Sequence, residues 1–400
     1  MKKARKILAV LMCGAMMCLA LAGCSSNKGG DEAAPETESQ GAGSDTQAAA
    51  PETEAPDAGS DTQAAASTTN GDAPYVAFST GATNTTWRQE MVDFFSEVAD
   101  EYQEAGRISG YTIANNTTDW DVTDQISVIR DLIADDNVDI IVVNPNSPTD
   151  LNAVLAEAVA AGKLVVCGDC EVDVEGVYCC SVDHYQWAYN IADAICKQLD
   201  GKGNVVEISG ADGHPANEER ERGTAEACAQ YPDINLVYSQ PGGWDNQTAK
   251  EVLSTYLSSS AYTVDAVITQ ETMGYGILQA LEEMNSTTGC MDNLKSVYLE
   301  TSPVCLELYQ ELKEKYDFDV VAEPNPAGIL ASSLRVAVNL YEGKEPKELG
   351  GLYGRCFIYD VEAFYETDTI SELIDIMKDY TGDYTLSEHW TEEEAAALFK

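Results

Sequence analysis

Residues 138–169, VDIIVVNPNSPTDLNAVLAEAVAAGKLVVCGD, constrain the fold more than any other stretch of the 400. Val138 opens a short, nearly unbroken apolar run rich in β-branched residues, the pattern of a strand buried on both faces of a parallel sheet. Asn144 ends that run. Ser147 is placed to cap free backbone N–H groups, and Pro148 supplies a preset φ at a first helical position. Leu151, Val154, Leu155, Ala158 and Val159 then recur at helical spacing, Gly162 closes the helix, and a second strand starts at Leu164. The stretch is a βαβ unit. In such sheets the polar residues just past the carboxyl ends of strands, here Asn144 and Asp169, face the crevice where ligands bind.

The same alternation runs through the chain after Pro74. Strand-like runs lie near residues 75–79, 111–114, 176–182, 205–209, 235–239, 264–269, 296–299, 319–322 and 355–359, with helix-length segments between most of them. This predicts an α/β protein of doubly wound parallel sheets. More than 300 residues exceed one usual core, so two domains are expected.

The first 73 residues are of another kind. Lys2, Lys3, Arg5 and Lys6 precede a short apolar segment that ends in Leu21-Ala22-Gly23-Cys24. The apolar segment is shorter than the ~20 residues a spanning helix needs, so residues 1–23 read as an export signal. Its end resembles a bacterial lipobox, which implies cleavage before Cys24 and a lipid on its sulfur as the only membrane attachment. Residues 24–73 are polar, acidic and of low complexity, with AGSDTQAAA at 42–50 repeated at 58–66, and read as a linker. Loss of the signal removes four basic charges and no acidic ones, leaving 19 Lys+Arg against 68 Asp+Glu, a net charge of −49. Such a charge repels phosphate backbones, so nucleic acid is not an expected partner.

The order of five segments, FSTGATNTTWRQEM, DQISVIRDLIADDNVDIIVVNP, AEAVAAGKLVVCGD, ANEERERGTAEACAQ and TQETMGYGILQALEE, resembles the sugar-type periplasmic binding proteins. These are the ribose-binding-like branch of ABC-transporter solute receptors. The resemblance implies two Rossmann-like lobes joined by a three-crossover hinge that closes on a ligand, a monomer, and a membrane permease as partner. Mapped onto this chain, lobe one is residues 74–182 with 324–354, and lobe two is 183–323 with 355–400.

A sugar or polyol presents hydroxyls that donate and accept together with apolar C–H faces, so its site needs planar polar side chains and aromatic walls. Asn84, Trp87 and Arg88 follow the first strand, Trp120 the second, Asn144 the third and Asp169 the fourth. In the second lobe Arg220, Trp244, and Gln270 with Glu271 follow successive strands, and Glu300 and Glu323 come later. By resemblance, Asn144, Asp169, Arg220 and Trp244 stand where the family places an amide, a carboxylate, a guanidinium and a stacking aromatic. Gln270, Glu300, Glu323 and Cys170 depart from the ribose-type pattern. Arg220 lies in ERER, which also fits a solvated helix face. Counting Asp169, Glu300 and Glu323 against Arg220 disfavours an anionic ligand and favours a neutral one, with an amino sugar left open.

Nine cysteines remain beyond Cys24. The group Cys167, Cys170, Cys179, Cys180 and His184 lacks a second CxxC pair, and adjacent Cys179 and Cys180 would point to opposite faces of a strand. Core packing or one disulfide between neighbouring strands is expected rather than a metal. There is no GxSxG, HExxH or P-loop, and no cofactor or enzymatic activity is expected. Gly274 and Gly276 are read as packing positions. Two other functions fit the same residues: a sensor that reads closure for a chemotaxis or two-component system, and a glycosidase using Glu300 and Glu323.

Overall fold

The computed structural model describes residues 73–400; the signal, the linker and the lipidation expected at Cys24 lie outside them. The buried apolar runs form strands where the periodicity places them. The chain begins with β1 (Tyr75–Thr80), α1 (Thr86–Glu104), β2 (Gly110–Asn115), α2 (Val122–Ala134), β3 (Ile140–Asn144), α3 (Asn152–Ala160), β4 (Leu164–Gly168) and β5 (Val177–Val182). It continues through α4 (His184–Gln198), β6 (Lys202–Ser209), α5 (Pro215–Ala229), β7 (Asp233–Pro241), α6 (Asn246–Ser259), β8 (Ala266–Thr269) and α7 (Gly274–Thr288). Next come α8 (Cys290–Asn293), β9 (Ser296–Tyr298), α9 (Pro303–Lys313) and β10 (Asp319–Ala322). The last elements are α10 (Ile329–Tyr341), β11 (Cys356–Tyr359), β12 (Tyr365–Glu366), α11 (Ile370–Met377) and α12 (Glu392–Ala397).

Two six-stranded sheets result, ordered β11-β5-β4-β3-β1-β2 and β12-β10-β9-β8-β6-β7. Every pairing is parallel except β10 with β12. The first five strands of each sheet are wound identically, second-first-third-fourth-fifth. Each sheet therefore reverses direction between its first and third strands, and a crevice opens at that reversal. Apolar layers cover both faces of each sheet, as parallel strands require. Cys179 and Cys180 fall in layers on opposite faces of β5.

Two expectations are corrected. Residues 355–400 do not all belong to the second lobe: β11 pairs with β5 in the first sheet, and Phe399 packs on Phe357 with ring centroids 5.4 Å apart. Ladder partners are chosen across long sequence separations, and an apolar run such as CFIY fits the edge of either sheet. The three crossings between the lobes fall at Val182 to Asp183, near 323–326 and near 360–364, and the tail adds a fourth passage near 386–390, since Leu386 packs in the second lobe's core while Trp390 and Phe399 pack in the first's. In addition, Ser147 Oγ accepts from Thr149 and Asp150 N–H, capping a turn ahead of α3 rather than the helix itself.

All nine described cysteines are free and buried, which matches core packing, the first of the two alternatives, and not the inter-strand disulfide. The sulfurs of Cys196 on α4 and Cys228 on α5 lie 3.9 Å apart. These helices press together at Gly223, where an added Cβ would stand 2.3 Å from the Tyr185 carbonyl oxygen. Backbone cannot yield there, so Gly223→Ala is expected to destabilise the chain by ~2–3 kcal/mol, measured as a lower urea midpoint at unchanged slope. Gly274 and Gly276 are likewise packing positions, their missing Cβ atoms 2.6 Å from Glu300 N and 2.0 Å from Asn246 O.

Candidate functional site

At the first sheet's reversal, β1 ends into a loop and α1, whose N-cap Thr85 accepts from Arg88 N–H. The cap fixes the first turn, so Trp87 and Arg88 project from the strand end. Trp87 spends its indole N–H on the Asn325 carbonyl, 2.8 Å away, and offers only its face. Arg88 donates to Asn144 Oδ1 and lies 4.3 Å over the Trp120 ring. Trp120 in turn donates to Asn84 Oδ1 at 3.1 Å.

At the second sheet's reversal, His214 caps α5 and Pro215 begins it. One turn later, Arg220 reaches back beneath the strand ends. Its Nε and Nη2 donate to His184 Nδ1 at 3.3 and 3.0 Å, and Nη1 donates to Gln270 Oε1 at 3.3 Å. The guanidinium also lies 4.4 Å over the Trp187 ring. Trp244 Nε1 donates to the same Gln270 oxygen at 2.7 Å, while Gln270 Nε2 donates to Asn217 Oδ1 at 2.8 Å. Gly210 makes room for that indole, since a Cβ there would meet Trp244 at 2.3 Å.

The two halves meet. His184, the first residue of α4, donates from Nε2 to the Asp169 carbonyl oxygen at 2.6 Å and stands 3.4 Å from Asp169 Oδ1. Asp169 of the first lobe is thereby linked through His184 to Arg220 of the second. The Trp120 and Trp244 rings face each other across the opening at 6.2 Å, and His214 stands edge-on to Trp244 at 4.8 Å. Cys170 Sγ lies 3.9 Å from His214 Nε2.

Together these residues wall a narrow cavity of about 40 Å³ lined by Thr85, Trp87, Arg88, Trp120, Asp169 and Asn325 from the first half of the site, and by His214, Ala216, Arg220, Trp244, Glu271 and Thr272 opposite. Seven of the twelve residues expected from sequence stand in this wall: Trp87, Arg88, Trp120, Asp169, Arg220, Trp244 and Glu271. Asn144 and Gln270 are buried supports behind Arg88 and Trp244, and Asn84 is an exposed support for Trp120. Glu300 turns away, bonded to Ser302 Oγ at 2.6 Å. Glu323 is buried outside the wall, with Oε2 unbonded.

Sequence reasoning missed His184, His214 and Asn325. Among the described residues, five non-glycine positions have positive φ, and four of them, Trp120, Asp169, Trp244 and Thr272, line this cavity. Backbone strain of this kind concentrates where side chains must be aimed.

Burial would raise the Asp169 carboxyl, but the neighbouring His184 imidazole and the Arg220 guanidinium hold it well below the usual range. Burial, with Arg88 nearby, lowers His214 to about 3, so its ring is neutral. Burial raises Glu323 to about 9 and Glu300 to about 7. The charge inventory therefore differs from the one counted in sequence: Arg88 joins Arg220, Glu300 is outside the wall, and Glu323 is protonated at neutral pH. Two guanidiniums face Asp169 and Glu271, a balance that suits a neutral guest. Unbonded oxygens remain at Asp169 Oδ1 and Asn325 Oδ1, ready to accept from ligand hydroxyls. No group of three metal-ligating side chains occurs among the described residues.

Residues 76–345 match the periplasmic binding protein domain model. The chain is 28% identical over 202 residues to the xylitol-binding protein of Mycolicibacterium smegmatis, covering 50% of this chain and 57% of that one. It is 27% identical over 237 residues to the galactofuranose-binding protein of Escherichia coli, covering 56% and 72%. Among solved structures, an ABC transporter solute binding protein from Thermobispora bispora superposes with a TM-score of 0.69 at 26% identity, covering 81% of this chain and 94% of that one. These relatives are binding proteins rather than enzymes, and the present chain belongs to the periplasmic binding protein domain family.

Proposed function

We propose that the protein binds a neutral monosaccharide or related polyol between its lobes and delivers it, from the outer face of the membrane, to an ABC permease. The observation that supports this is the convergence of Arg88 and Asp169 with Arg220 and His214 on one cavity whose remaining walls are indole faces. Guanidinium and carboxylate groups held at fixed angles grip hydroxyls, and indole faces cover the C–H side of a sugar ring. Each lobe contributes half of the contacts, so bound solute favours the closed arrangement over the open one by its differential affinity. The relatives named for xylitol and galactofuranose motivate the solute class. Export by residues 1–23 and a lipid on Cys24 would hold the domain at the membrane through the 24–73 linker.

Isothermal titration of the purified chain against xylitol, D-allose, D-apiose, myo-inositol and D-galactose, with glucosamine as the cationic control, tests this proposal. Submillimolar binding of at least one neutral member is expected, with glucosamine weaker than its neutral counterpart. Binding of none of them, or of the cation alone, contradicts it.

A further inference from the structure

The fourth passage between the lobes is built into the site. After α11, which packs in the second lobe's core through Ile370, Leu373 and Met377, residues 382–390 run back toward the first lobe. Thr385 N–H donates to Glu90 Oε1 at 2.9 Å, and its hydroxyl contacts Glu90 Oε2 at 3.3 Å. Glu90 lies on α1, about one turn past Trp87. The next amide, Leu386 N–H, donates to Thr301 Oγ1 in the second lobe at 2.9 Å. That hydroxyl donates onward to Glu271 Oε1 at 2.9 Å, and Glu271 lines the cavity. Two adjacent peptide groups thus grip one lobe each, and all three side chains concerned are buried. The segment is anchored further on: Gly328 N–H donates to Ser387 Oγ, Trp390 N–H donates to Ser332 Oγ at 2.9 Å, and the Trp390 ring packs on Tyr359 at 5.2 Å.

We propose that residues 382–390 are a strap that positions Glu271 through Thr301 and limits how far the lobes separate. Opening moves Glu90 away from Thr301, and successive amides at 385 and 386 cannot follow both. One of the two grips must break, so strap release and opening are a single event. In the bound state the intact strap holds Thr301, hence Glu271, in place against the solute. The role of Glu271 toward solute rests on the function proposed above; the restraint on opening does not.

The test therefore uses ligand-free protein, full chain, in three forms: wild type, Thr301→Val and Glu90→Met, which keeps the bulk of the side chain and removes both acceptor oxygens. The two variants release opposite ends of the strap, so loss of fold in one leaves the other informative. Amide exchange of the 382–390 peptide is expected to quicken about tenfold in Thr301→Val, the value of one hydrogen bond of this kind. Small-angle scattering is expected to show a larger mean radius of gyration for both variants than for wild type, at unchanged far-ultraviolet dichroism. Unchanged exchange in the peptide, or faster exchange with no gain in radius in either variant, overturns the proposal. Because no sugar is present, failure of the sugar assignment shows in the titration panel and not here.

Discussion

Replacing Arg220 with methionine should weaken solute binding by at least about a hundredfold and lower stability by ~3 kcal/mol or more. The guanidinium bonds His184 and Gln270 and is the positive group behind Asp169. Methionine keeps the stem that packs on Trp187 and removes the donors and the charge. Asp169 is then left buried with its carboxylate under-compensated, a situation that costs ~3–5 kcal/mol. Truncating one member of a buried, hydrogen-bonded charged set at a binding surface costs ~2–5 kcal/mol in affinity, and ~2.7 kcal/mol is already a hundredfold. Arg220→Lys should recover little, because one ammonium cannot serve His184 and Gln270 in the directions a planar fork does. Arg222 is the control. It lies in the same ERER run, but its side chain is 45% exposed against 2% for the whole of Arg220, and Arg222→Met should leave affinity unchanged within twofold. Calorimetry with the tightest panel solute and urea melts of all four proteins decide the matter.

Stability should fall as pH rises from about 5.5 to 8.5, and Glu323→Gln should remove much of that fall. Burial raises Glu323 to about 9, Glu90 to about 8, and Glu207 and Glu300 to about 7. In the unfolded chain these carboxyls titrate near ~4.3. A folded pKa above the unfolded one means that the contribution to stability is complete below ~4.3 and is lost as pH climbs through the folded values. His214 acts the other way: its folded pKa of about 3 lies below the unfolded ~6.5, so its contribution is lost as pH falls between those values. Four carboxyls outweigh one histidine above ~4.3, so the two trends place the maximum at about pH 4 and the fall continues through neutrality. Glu323 has the highest folded value of the four, and near pH 8 it should cost the wild type up to ~5 kcal/mol. Self-repulsion of so acidic a chain adds a slope of the same sign, and the glutamine variant separates the two. Urea melts at pH 5.5 and 8.5 should show the variant gaining on wild type at the higher pH. A constant difference between the two proteins at both pH values would contradict the assignment of a buried, protonated Glu323.

Most of the first ten strands were legible in the sequence because a parallel strand is buried on both faces and so becomes an apolar run between polar turns. The residues past those strands were legible for the same reason, as Trp87, Asp169, Arg220 and Trp244 illustrate. Their division of labour was not. Arg88 and Asn144 both follow strands, but only the fold shows that the amide holds the guanidinium and leaves it facing the cavity. His184 was hidden in a helix start, and His214 in a Gly-His-Pro turn at a strand end, which is where an N-cap able to face ligand belongs. Glu300 satisfied the rule of position and failed because its side chain turns to Ser302, a rotamer choice that spacing does not encode. The assignment of β11 and of the tail depended on pairing across the whole molecule. Backbone strain at Trp120 and Trp244 leaves no trace in composition.

A crystal structure of the complex with the tightest panel solute tests the central claim most directly. The account predicts one solute in the cavity, its hydroxyls within hydrogen-bond distance of Asp169 and Arg220 at once and its C–H face on Trp87, Trp120 or Trp244. A solute held by one lobe alone, or bound anywhere outside that wall, would contradict it.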